Sequence, residues 1–507
     1  VFKVEPPKGE FLRMLYPHQN KLATAYSSTN LNQKSAGLNT KEEEGMNAML
    51  GLAHKADILI ENFRPGVADR IGLGFEKLHE SNPNLVFGSS SGYGDDGPMK
   101  NLAALEPHLQ AFSGMSGVTG YPGDDGQLIR FTHLDPTGAV FFCGLLMLGL
   151  IERERFGHSC WVKTSHLANA IANMNNKISE VLLANSPGEP LGSSSSTSAP
   201  NRCYHCEDKR YIAISCDNQT QWEGFCIAVG LENLTEDVRF LTNAERVNNR
   251  DELDEILETH FLEKPSRWWS LRLDKYKVPN SFDLSFDDLQ YHQQIIENNF
   301  LVEVDGEHTG PFYVGGLPWE FSETPAQINT SIPVPGKDTE TAMKKGFETD
   351  STNTRSPNSE SPEYPLKGIR VLDVTQGYTG PYLSFMLAEA GAEVTKIEPK
   401  GGDWSKELSP QTKKGVSALY QSFNRNKKII EMDIQSEEGS KDFESLLSQT
   451  DMLIEDWSKD SIEAIKYDYE KIKLNNSDII HYSLSSFGHY GPMKNKPGSD
   501  LVIQAMS

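Results

Sequence analysis

The stretch FTHLDPTGAVFFCGLLMLGL, residues 131 to 150, is the most apolar in the chain, and an aspartate stands at its front edge. Asp135 is followed by Pro136, a residue favoured at the first helical position, where its missing N–H costs nothing. So placed, Asp135 reads as the N-cap of a buried helix whose dipole keeps it ionised. An ionised carboxylate held at the open end of a helix beside a cleft can also act as a nucleophile. The two roles are compatible. Glu106, in what reads as a loop between glycine-bearing turns, lies 29 positions earlier and could share acid, base and nucleophile duties. Its spacing alone fits a solvated loop residue better.

Two cations invite a phosphate. Arg70, in ENFRPGVADRIGLG after an expected strand, could grip one through parallel hydrogen bonds, or be an ordinary surface arginine. Lys41, in NTKEEEG, could serve a second phosphate, or open an acidic helix as a solvated lysine. Cys203 and Cys206 have zinc-ligand spacing, but no second pair follows, so no metal site is expected.

The elements that must position these residues occur twice. DILIENF at 57 to 63 returns as DMLIEDW at 451 to 457, and GYGDDGPMKN at 92 to 101 is echoed by FGHYGPMKN ending at 495, at a constant offset of 394. VFKVEPP at 1 to 7 matches VTKIEPK at 394 to 400, one residue out of phase. The second copy shows how the unit begins: strand GIRVLDVT, loop QGYTGP, helix YLSFMLAEAGAEV, strand VTKIEP. That is a βαβ unit, and its continuation implies a mostly parallel, doubly wound sheet. The expected fold is α/β. Residues 1–200 form a large domain, copy one, lacking its first strand and helix. Residues 201–335 add a smaller α+β domain and return segment, 336–365 a disordered linker, and 366–507 a partial second large domain. The Ser-rich PLGSSSSTSAPN reads as a flexible connector.

A net charge of -23 excludes nucleic acid and anionic membrane surfaces as partners. The apolar run from Ala139 to Ile151, 13 residues, is too short to span a bilayer and suits a buried helix. Six cysteines in 507 residues are too few for a disulfide scaffold and suit a reducing, intracellular compartment, whether cytoplasm, mitochondrion or peroxisome. Val1 opens directly into an apparent strand, so a fragment is expected.

The series ADILIENFRPGVADRIGLGFEKL, SSSGYGDDGP, LDPTGAVFFCGLLMLGLIERERFGHSCWVKTSHLANAI, YIAISCDNQTQWEGFC and EDVRFLTNAERVNN resembles the class III CoA-transferases, the CaiB/BaiF group. VLDVTQGYTGPYLSFMLAEAGAEVTKIEPKGGD resembles that family's amino terminus. The resemblance implies acyl-CoA and a small carboxylic acid as substrates, no permanently bound cofactor, and interlocked subunits, here a homodimer or an intrachain pseudo-dimer. It implies Asp135 as nucleophile, passing through an acyl anhydride and an aspartyl-CoA thioester, with Glu106 as a second active-site carboxylate. It places CoA contacts on Leu38, Lys41, Asn62, Phe63, Arg70 and Ile71. Leu105 stands where formyl-CoA transferases carry tyrosine and racemases their histidine. An α-methylacyl-CoA racemase and an inactive CoA-binding protein are the alternatives. In copy two the CoA positions become Gln435, Asp456 and Ala464.

Overall fold

A computed structural model describes residues 1–19, 22–306, 310–328, 332–347 and 363–507. The chain divides into two compact units. One comprises Val1–Ala103, Phe142–Ser165 and Gln290–Ser361; the other comprises Ala104–Phe141, His166–Leu289 and Pro362–Ser507.

In the first unit, β1 (Phe2–Glu5) pairs in parallel with β2 (Lys34–Gly37). β3 (Ile58–Glu61), β4 (Val86–Ser91) and β5 (Trp161–Ser165) form a separate parallel sheet in that order. Helix Glu43–Lys55 closes one core with Leu78, Leu85 and Phe87. The chain passes from β4 to β5 through a long helix, Leu134–Phe156. Glycines admit that helix to the sheet: a side chain at Gly88 would strike Leu146 and Phe142, and one at Gly149 would strike Val86 and Val162.

In the second unit, β6 (Asn201–His205), β7 (Tyr211–Ser215) and β8 (Asn280–Phe282) form an antiparallel sheet ordered β8-β7-β6. Trp222, Phe225, Phe261 and Trp269 fill the core between it and its helices. The same unit holds a five-stranded parallel sheet, β11-β10-β9-β12-β13: β9 (Arg370–Asp373), β10 (Glu393–Glu398), β11 (Lys428–Glu431), β12 (Met452–Glu455) and β13 (Ile480–Ser483). The valine, isoleucine and leucine residues of β9, β10 and β12, Val371, Leu372, Val394, Ile397, Leu453 and Ile454, are all buried, as a sheet covered on both faces requires. The two sheets are tied together, with the Tyr378 hydroxyl 3.0 Å from that of Thr197 and Lys496 2.8 Å from Asp274.

The two copies share their internal bonding. The side-chain amide of Asn82 donates to the carbonyls of Ala53 and Ala56; that of Asn476 donates to those of Leu447 and Thr450. A side chain at Gly45 would strike the carbonyl of Asn39, and one at Gly439 that of Asp433. Buried Glu5 is paired with Arg13 beside Tyr26, and buried Glu398 with Lys406 beside Tyr420. They differ at the centre. In copy two β9 lies between β10 and β12. The counterparts of those neighbours, β1 and β3, fall in separate sheets. Accordingly Lys3 and Glu10 keep 26% and 29% of their side chains exposed, whereas the matching pair, Lys396 and Asp403, is fully buried at 2.7 Å.

The return segment lies in the first unit, where Leu301–Gly306 and Gly310–Gly315 form a hairpin. Three expectations are corrected. The expected linker is ordered at its start. Thr339–Lys344 is helical, and Asp338 and Thr339 accept the backbone N–H groups of Ser35 and Gly37. Residues 348–362 of that linker lie outside the described residues. The Ser-rich connector is packed because its hydroxyls answer buried carboxylates, Ser196 bonding Glu180 and Ser198 bonding Asp217. Finally, the apolar helix runs 23 residues and is long and apolar enough, by length and composition, to cross a bilayer. It is not buried all round: Val140, Met147 and Ile151 form an exposed stripe opposite the face that packs on the sheet.

Candidate active site

Three helices build the site around Asp135: α1 (Glu106–Phe112), α2 (Leu134–Phe156) and α3 (His166–Asn173). α2 begins at Leu134, so Asp135 sits inside the first turn and is not the cap. The cap comes from a different element. Glu106 opens α1 with Pro107 behind it, so it is a helix residue and not a solvated loop residue. Its side chain reaches the exposed N–H groups at the start of α2. Oε1 accepts the N–H of His133 at 2.6 Å and the side-chain amide of Gln110 at 2.9 Å, and Oε2 accepts the N–H of Asp135 at 3.4 Å. A carboxylate at a helix amino terminus satisfies unpaired donors and faces the positive end of the dipole. Glu106 is 9% exposed. Burial alone would raise its pKa, but the N–H groups of His133, Leu134 and Asp135 and the Gln110 amide outweigh that, and the net shift is downward.

Asp135 is thereby free of capping duty, and its side chain stays 55% exposed. Its pKa is raised, first by burial and also by the Glu106 charge, with His166 pulling the other way. The His166 Nδ1 lies 3.7 Å from Asp135 Oδ1. A raised pKa makes the ionised carboxylate a better nucleophile. The first turn of α2 is fixed by the Thr137 hydroxyl, which donates to the His133 carbonyl at 2.8 Å and accepts from the Asn173 amide of α3 at 2.9 Å. Leu105, just before Glu106, is exposed and carries no base.

The six expected CoA contacts all lie in the first unit, whereas Asp135 and Glu106 lie in the second. Leu38 is buried, so only its backbone is presented; its N–H donates to the Glu5 carbonyl. Lys41, Asn62, Phe63 and Arg70 are exposed, and Ile71 is half-buried in the Phe87 core. Phe63 lines a cleft of about 150 Å³ at the carboxyl ends of β3 and β4, where open α/β sheets bind ligands. Arg70, Asn62 and Lys41 do not line it. The cleft wall instead holds Arg64, Lys163 and the serines 89 to 91, none of which the sequence reading singled out. Lys163 lies over the Trp161 ring at 3.5 Å and pairs with Asp95 at 3.3 Å. The signal for it was weak: a lysine inside the strand WVKTS, with nothing to show which face it takes. In copy two, Asp456 accepts the backbone N–H of Gln376, a fixed acid where copy one offers Asn62.

A sequence profile described as CoA-transferase family III matches residues 1–339 and 366–507. The chain belongs to that family. It is 31% identical over 309 residues to the acetyl-CoA:oxalate CoA-transferase of Acetobacter aceti, covering 60% of this chain and 79% of that protein. It is 28% identical over 349 residues to the succinyl-CoA:glutarate CoA-transferase of Mus musculus, covering 68% of this chain and 79% of that protein. The crystal structure of Rv3272 from Mycobacterium tuberculosis superposes with a TM-score of 0.59 at 26% identity, covering 67% of this chain and 90% of that one. The α/β fold with parallel sheets and the CoA-transferase class thus stand for this chain. The two separate matched segments accord with a tandem arrangement.

Proposed function

We propose that the chain moves CoA between carboxylic acids and that Asp135 is its nucleophile. The observation that carries this is the transfer of capping duty to Glu106, which leaves an accessible carboxylate of raised basicity at a helix amino terminus. Asp135 attacks the acyl carbonyl of the donor thioester. A C–O bond forms, the C–S bond breaks, and CoA thiolate departs with the electron pair, leaving a mixed anhydride. The thiolate then attacks the Asp135 carbonyl of that anhydride. A C–S bond forms, the C–O bond breaks, and the donor acid leaves. The acceptor carboxylate attacks the aspartyl-CoA thioester and the two steps run in reverse, restoring Asp135. No net proton is consumed.

The relatives named for oxalate and glutarate support dicarboxylates as acceptors. We further propose that the two copies serve as an intrachain pseudo-dimer. Support comes from the compact unit that His166–Leu289 of copy one forms with Pro362–Ser507 of copy two. The test is transfer from acetyl-CoA to oxalate and from succinyl-CoA to glutarate, with hydroxylamine trapping during turnover. Trapping should convert Asp135 to a hydroxamate, and Asp135→Ala should abolish transfer with the circular dichroism spectrum unchanged. Full activity alongside an unmodified Asp135 would end the proposal.

A further inference from the structure

His166 faces Asp135, and neither the family reading nor the capping arrangement uses it. It opens α3, and its Nδ1 faces Asp135 Oδ1 at 3.7 Å. That nitrogen is shielded from solvent and has no hydrogen-bond partner among the described residues. A buried polar atom without a partner is uncommon and asks for a reason. The approach is allowed by Gly138, three residues beyond Asp135 on the same face of α2. A β-carbon there would stand 3.4 Å from the His166 Nδ1 and 3.1 Å from the Asn169 amide. Two helix starts are thus brought together at a glycine, with an imidazole aimed at a carboxylate. Asp135 from α2 is the one ion-pair partner of His166 among the described residues. The other charge acting on Asp135 is Glu106 from α1, of opposite effect.

We infer that His166 is a positioning residue for Asp135: its ring stands beside Oδ1, favours the ionised carboxylate and leaves Oδ2 as the oxygen that attacks. This rests on Asp135 being the nucleophile. A positive charge on that ring favours the ionised form of Asp135. The sign follows. Asp135 must be ionised to attack, so activity is lost as pH falls through its pKa. A positive neighbour lowers that pKa and moves the loss to lower pH. Removing the neighbour moves it up.

The experiment compares wild type, His166→Gln and His166→Lys in acetyl-CoA to oxalate and succinyl-CoA to glutarate transfer, from pH 4.5 to 8. The acid limb of kcat should rise by about half to one pH unit in His166→Gln, with KM for the thioester little changed. His166→Lys, which keeps a fixed positive charge, should retain the wild-type limb. An unshifted limb in His166→Gln overturns the inference. If that variant fails to fold, a limb raised in His166→Lys overturns it instead. Asp135→Ala is run alongside. Transfer surviving in Asp135→Ala refutes the nucleophile itself, whereas an inactive Asp135→Ala with an unshifted His166→Gln refutes only the role of His166.

Discussion

Glu106→Gln separates structural from chemical duty at this site. The substitution keeps shape and removes charge. The glutamine carbonyl can take the place of Oε1 and still accept from the N–H of His133 and the amide of Gln110, which stand at 2.6 and 2.9 Å. Both bonds become neutral, a loss of about 0.5 to 1 kcal/mol each. The new NH2 replaces Oε2 and faces the N–H of Asp135, donor against donor, costing about 1 kcal/mol more. The total is about 2 to 3 kcal/mol, read as a Tm lower by about 5 °C. The pH dependence carries the sharper test. The folded-state pKa of Glu106 is depressed below its ordinary value of 4.5. Its stabilisation is therefore complete above the unfolded value and is lost as pH falls through the folded one. The Tm gap between wild type and Glu106→Gln should be constant from pH 8 to 5 and close toward pH 3.5. Removing the Glu106 charge should also lower the Asp135 pKa, moving the acid limb of transfer downward, opposite in direction to His166→Gln. No gap at pH 7, or one that does not narrow in acid, would refute the capping argument.

Three other outcomes are expected. Asp135→Asn should lose transfer while its Tm stays within about 1 °C of wild type, because the side chain makes no capping bond; differential scanning calorimetry and the transfer assay check both halves. Lys396→Met should destabilise the five-stranded sheet by about 3 to 5 kcal/mol, since it strands buried Asp403, whereas Lys3→Met, at the partly exposed counterpart, should cost at most about 1 kcal/mol; equal urea midpoints for the two variants would show that burial is not what separates them. Gly377→Ala should cost about 2 kcal/mol or more, because φ is +79° and the new carbon would run into the Trp404 ring; denaturant titration followed by tryptophan fluorescence reads this directly.

The strands and the helix of the βαβ unit were legible in the sequence because their apolar periodicity is local. GIRVLDVT, VTKIEP and DMLIED all contain strands, and the helix over YLSFMLAEAGAEV starts only three residues early, at Thr379. The repeat was legible too, and the paired asparagines and glycines are its physical content. What failed was non-local. Asp135 read as a cap because aspartate before proline usually is one; nothing near it in sequence shows that a carboxylate from another helix takes the amides. The Ser-rich connector read as flexible because its partners, Glu180 and Asp217, are distant or hidden among apolar neighbours. Lys163 and the serines of the cleft went unnoticed because a strand sequence does not say which of its faces borders a pocket.

The division of labour between Glu106 and Asp135 has an evolutionary consequence. When a residue both caps a helix and performs a reaction, changing it endangers the fold, and substitution is resisted on two counts. Here the structural burden is delegated to the neighbouring helix, so position 135 is a slot whose occupant can change while the scaffold endures. On the mechanism proposed for Asp135, a well-folded relative that binds thioesters without turning them over is then one codon away, and stability alone cannot betray the difference.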